Sequence, residues 1–108
     1  MTYGAIVDMI EEMGLPFAYD HFAEGESPSP PFIVFIMSRS DNFGADDKVY
    51  QKINELHIEL YTDKKDPTSE ALVETVLDRY EIYWEKYEEY IAEEKLYQVD
   101  YTMEVIQL

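Results

Sequence analysis

Cysteine is absent from this 108-residue sequence. That excludes a disulfide framework, a thiolate metal site and a cysteine nucleophile. Cations are scarce as well: 8 Lys and Arg stand against 24 Asp and Glu, for a formal net charge of −16, and none precedes Arg39. A surface this acidic repels phosphate backbones and anionic lipid, which argues against specific nucleic-acid recognition and against membrane binding. Long hydrophobic runs are missing too. The longest, Phe32 to Met37, is far too short to cross a bilayer. The first residues, MTYGAIVDMIEEMG, have no basic flank and carry acids inside their apolar pattern, so a signal peptide is not expected. A soluble cytoplasmic chain is the default expectation.

Imidazole is limited to His21 and His57, and glycine to four positions. No Gly-rich phosphate loop is present, and no serine sits in a nucleophile-elbow context. His21, beside Asp20 and Glu24, is the nearest approach to an acid-base group. His57 alternates with apolar residues and reads as an ordinary sheet-face side chain. The paired acids Glu88-Glu89 and Glu93-Glu94 are sequence neighbours, so in a strand they point to opposite faces and form no dyad. Catalytic, metal-binding and cofactor-binding residues are therefore not expected, and an enzyme is not the expectation.

What is present reads as one domain over residues 1–108. Thr2 can cap a helix whose apolar residues Tyr3, Ile6, Val7, Ile10 and Met13 recur at helical spacing, with Gly14 and Pro16 ending it. Phe17 to Phe22 alternates as a short strand. Ala23 to Pro30 (AEGESPSP) is a loop. Phe32 to Met37 has the unbroken apolar character of a strand buried on both faces or covered by a helix. Leu56, Ile58 and Leu60 alternate strictly with Glu55, His57, Glu59 and Tyr61, the mark of a half-buried strand. Asp66-Pro67 opens a second helix, with Leu72, Val73, Val76, Leu77 and Tyr80 on its apolar face. Ile82 to Ile91 is expected to be a strand and AEEK a turn, and in a last strand Tyr97, Val99, Tyr101, Met103 and Val105 alternate with Gln98, Asp100, Thr102 and Glu104. The fold class is α+β: a mainly antiparallel sheet of four to five strands, with two helices packed on one face. The open face would show His57, Tyr61 and further tyrosines.

Arg39 to Lys48 has no periodicity and is much longer than a tight hairpin turn, so it reads as a long loop of the kind that is often functional or mobile. Its acids invite a calcium reading, but an EF-hand spacing would need an acidic or amide side chain where Phe43 stands. Asp46 and Asp47 beside Lys48 suit a salt bridge between subunits. Ten tyrosines and one tryptophan are a further excess. Aromatics serve a small sheet as core and cross-strand pairs, and they also mark surfaces that associate.

The succession GLPFAYDHFAEGESPSPPFIVF, DNFGADDKVY, INELHIELYTDKKDPTSEALVETVL and EKLYQVDYTMEVI covers nearly the whole chain. It resembles a family of small head-tail morphogenesis proteins, of tail-completion or tail-terminator type, from long-tailed phages and prophages of Gram-positive bacteria. The resemblance implies a non-enzymatic virion subunit that forms a ring, commonly of six copies, at the head-proximal end of the tail. Such a ring ends tail-tube polymerisation or joins the tail to the head. Its implied partners are further copies of itself, the tail-tube protein and the head-connector protein. DNA would pass through without being specifically bound, and the location is the virion, after synthesis in the host cytoplasm. No catalytic residue or cofactor is carried over. Asp41, Asn42, Phe43, Asp46, Asp47 and Lys48 are the candidate assembly contacts, with the helix face bearing Glu70, Glu74 and Asp78 as one candidate receiver. The acidity leaves a second function open: a DNA mimic that inhibits a host nucleic-acid-binding protein.

Overall fold

The computed structural model describes residues 1–107. Helix α1 spans Tyr3–Glu11, with the Thr2 hydroxyl accepting from Ala5 N–H at 3.0 Å. Gly14 sits at φ 79°, the left-handed conformation that lets the chain turn off the helix end without a Cβ clash. Strand β1 is short, Phe17–Tyr19, and β2 runs Phe32–Ser40. β3 (Phe43–Ala45) and β4 (Lys48–Gln51) form a two-stranded hairpin of their own. β5 is Ile53–Thr62, α2 is Pro67–Arg79, β6 is Glu85–Ile91 and β7 is Leu96–Ile106.

The main sheet has the order β1-β2-β5-β7-β6 and is antiparallel except for β1, which pairs parallel with β2. The fold is α+β, as the alternation and capping signals imply. The parallel edge follows from the loop: Asp20 to Pro31 is long enough to carry the chain back to the start of the sheet, where a tight turn would have reversed it. Phe22 on that loop packs edge-on against Phe32 at 5.4 Å, and Tyr61 stacks on the same ring at 5.1 Å. β2 is thus covered on both faces at its start, with α1 beneath and the loop above.

Alternation decides which side of the sheet meets the helices. Leu56, Ile58 and Leu60 on β5, with Val99, Tyr101, Met103 and Val105 on β7, are fully or almost fully buried. They form one core with Ile6, Met9 and Ile10 of α1 and Val73, Val76 and Leu77 of α2. Both helices therefore lie on one face. Asp66 caps α2 by accepting from Ser69 N–H at 3.0 Å and from the Ser69 hydroxyl at 2.7 Å, and Pro67 fills the first turn where no N–H is needed.

α2 ends without a glycine. Ile82 N–H donates to Leu77 O and Glu81 N–H to Asp78 O, the paired bonds of a Schellman cap, with Glu81 forced to φ 58°. This stop places Ile82 to Trp84 in a connection, so the strand expected from Ile82 begins only at Glu85. The Cα radius of gyration is 14.8 Å, against ~13 Å for a compact chain of this length. The excess reflects elongation, with extents of 48 × 29 × 23 Å.

Candidate assembly surface

The segment expected to be an irregular loop is a hairpin arm. Two consecutive residues, Asp46 and Asp47, adopt positive φ (52° and 61°) between the paired residues Ala45 and Lys48. Positive φ at both central positions is the tight I′ turn, whose twist matches that of its strands. Asn-Gly would have announced it. Asp-Asp does so weakly, because an aspartate tolerates the left-handed region only by local hydrogen bonding. The boundaries shift accordingly: Arg39 and Ser40 finish β2, and Lys48 opens β4.

The six candidate contacts take three places on this arm. Asp41 and Asn42 anchor its base. Asp41 N–H donates to Ile53 O at 2.8 Å, and the Asn42 side-chain oxygen accepts from Ile53 N–H at 2.9 Å. Phe43 and Lys48 lie along the strands, and Asp46 with Asp47 makes the tip. Every residue from Asp41 to Tyr50 is exposed. Phe43 is 58% exposed, Val49 53% and Tyr50 76%, although Phe43 and Tyr50 lean edge-on at 6.0 Å. Val49 and Tyr50 belong with the candidate contacts. Their β-branched and aromatic character was the available signal, masked by the adjacent aspartates and lysine.

The acids of α2 are engaged within the chain. Glu70 is buried, with Lys65 Nζ 2.7 Å from Oε2 and Lys86 Nζ 3.1 Å from Oε1. Glu74 takes Lys86 at 2.8 Å, and Asp78 accepts from the Trp84 indole N–H at 2.8 Å. Desolvation pushes the Glu70 carboxyl up, yet the two ammonium groups hold it below its ordinary value. This face is internally compensated and makes a poor receiver for the arm.

The open face of the sheet carries a second constellation. His57 Nδ1 lies 3.1 Å from Asp100, and Nε2 lies 3.0 Å from Glu55 Oε1. Partial burial lowers the imidazole's proton affinity, but the two carboxylates outweigh it and raise the pKa above its ordinary value. Glu59 is also raised, by desolvation first, although the Tyr61 hydroxyl donates to it at 3.2 Å. At the arm's base Glu104 is raised by its contact with Asp41. Away from this face, His21 lies 2.8 Å from Asp20, and both are largely solvated.

A groove of about 940 Å³ runs beside the end of β7; its lining includes Met1, Ile82, Tyr83 and Met103 to Ile106 together with the acids Glu55, Glu81 and Glu104. No protein-family model matches this sequence, and no curated protein matches it either.

Proposed function

We propose that the chain is a non-enzymatic virion assembly subunit of a long-tailed phage. It forms a ring at the head-proximal end of the tail, ending tail-tube polymerisation or joining the tail to the head connector. The observation that carries this reading is the arm. A short, anchored hairpin holding Phe43, Val49 and Tyr50 in water is costly for a subunit that works alone, and is suited to one whose surfaces become occupied. A ring requires a heterologous contact, one patch meeting a different patch, which a projecting arm supplies. The charge of −16 supports the same reading, since an acidic wall lets a DNA backbone slide past without adhering.

Electron microscopy of particles from a parent phage with a stop codon in this gene tests the role. DNA-filled heads beside free, overlong tails are expected of a terminator. Full heads beside tails of normal length would move the role to the joint. Normal infectious particles would remove the virion reading.

A second reading draws on the open face, where Glu55, Glu59, Glu85, Glu89, Asp100 and Glu104 project from three strands. Such a spread of carboxylates suits a DNA mimic. It calls for a salt-sensitive complex with a basic host protein, and recovery of virion proteins alone in a pull-down would exclude it.

A further inference from the structure

Two strands of the sheet lack a partner along part of one edge: β2 beyond Phe35, where β1 ends, and the last part of β7. β7 is paired with β5 from Tyr97 to Ile106, but with β6 only from Leu96 to Thr102. Beyond Thr102 the chain that would extend β6 has turned away through the Glu81 cap, and the groove opens in its place. Hydrogen-bonding direction alternates along an antiparallel strand. Gln107 N–H donates to Lys52 O at 2.9 Å on the β5 side. Glu104 N–H and C=O and Ile106 N–H therefore face the groove, while the Ile106 carbonyl takes the Met1 ammonium. The outer edge of β6 is blunted by Glu85, Lys86, Glu88 and Glu89, the usual defence against pairing. The β7 edge has only Glu104 between Met103, Val105 and Ile106.

We propose that the arm of one copy docks in this groove of the next, with β4 adding as a strand beside Met103–Ile106. The inference rests on the assembly reading above and names the receiving surface for it. Three observations select a second copy as the occupant. The lengths agree, because Lys48–Gln51 and Met103–Ile106 are four residues each. The chemistry agrees: β4 brings exposed Val49 and Tyr50 to an apolar groove. Charge agrees as well. Among the described residues Lys48, Lys52, Lys64 and Lys95 form no ion pair. Two of these flank Val49 and Tyr50 and would meet Glu55, Glu81 and Glu104 of the groove, beside the Met1 ammonium, with Asp46 and Asp47 left at the turn beyond β4. A subunit's own arm does not fill its own groove. Its base is anchored to Ile53, and its β4 pairs with β3 and not with Met103–Ile106.

The absence of cysteine makes a clean test. Val49→Cys and Tyr83→Cys are both at exposed positions, so neither threatens the fold. Oxidised together at high concentration, the two single variants should give a disulfide dimer that neither forms alone. The double variant should give a ladder beyond the dimer. No mixed dimer, or equal dimer from Val49→Cys alone, would overturn the docking. A double variant that stops at a closed dimer would overturn its head-to-tail sense. The stop-codon phenotype fails independently: a ladder with normal particles would keep the docking and remove the virion role.

Discussion

Tyr101 donates its hydroxyl hydrogen to Glu74 Oε2 across 2.7 Å, tying the centre of β7 to α2. Lys86 holds the same carboxylate at 2.8 Å and lies 5.9 Å from the centre of the Tyr101 ring. Burial, reinforced by this carboxylate, pushes the phenol far above its ordinary value. Tyr101→Phe keeps the ring and leaves Glu74 its lysine. It should cost about 1 kcal/mol in urea unfolding. Tyr101→Ala empties a fully buried site and should cost about 3–5 kcal/mol.

Glu70 is the buried charge on which two lysines converge. Its depressed pKa contributes stability that is present above the ordinary carboxylate value and is lost as pH falls through the folded value. Glu70→Gln should flatten the acid limb of the stability curve. At neutral pH it should cost about 1–3 kcal/mol, because Lys65 and Lys86 can return to water. An unchanged acid limb in a chemical-denaturation series would show that another carboxylate governs it.

His57 has the opposite sign. A raised folded pKa means stability fully present below the ordinary histidine value and lost as pH rises through the folded one. The wild type should therefore lose stability across that window while His57→Gln stays level. Thermal melts from pH 5 to 9 read the difference directly.

Glu81 holds a left-handed cap position with a Cβ that disfavours it. Glu81→Gly should raise stability by about 0.5–1 kcal/mol, the reverse of the usual glycine penalty. Calorimetry would register this as a higher Tm.

The arm's turn offers a separation of folding from assembly. Asp46→Asn with Asp47→Gly should preserve or strengthen the I′ turn while removing both tip charges. Under the proposed docking, disulfide capture between Val49→Cys and Tyr83→Cys should persist in this background, and its loss would give the aspartates a contact as well.

Local chemistry made much of the fold legible. Thr2, Asp66-Pro67 and Gly14 announce helix ends because their side chains, or lack of one, act on the adjacent backbone. Alternation in β5 and β7 picked out Leu56, Ile58, Leu60, Val99, Tyr101, Met103 and Val105, which are buried, while Tyr97 at the start of β7 is only half-buried. The arm was hidden because Asp-Asp is a weak turn signal and because pairing between Phe43–Ala45 and Lys48–Gln51 is a relationship between segments. Glu70 reads from sequence as one of three acids, with Glu74 and Asp78, on a face of α2. Its burial against Lys65 and Lys86 depends on where α2 meets β6.

The sequence by itself determined the acidity, the two helices, the faces of the long strands and the inward residues of the core, all properties of neighbours a few positions apart. Only the tertiary structure decided the parallel edge of β1, the projection of the arm and the unpaired end of β7. Each of these depends on where distant segments come to rest, and on a helix cap at Glu81 that carries no glycine to announce it.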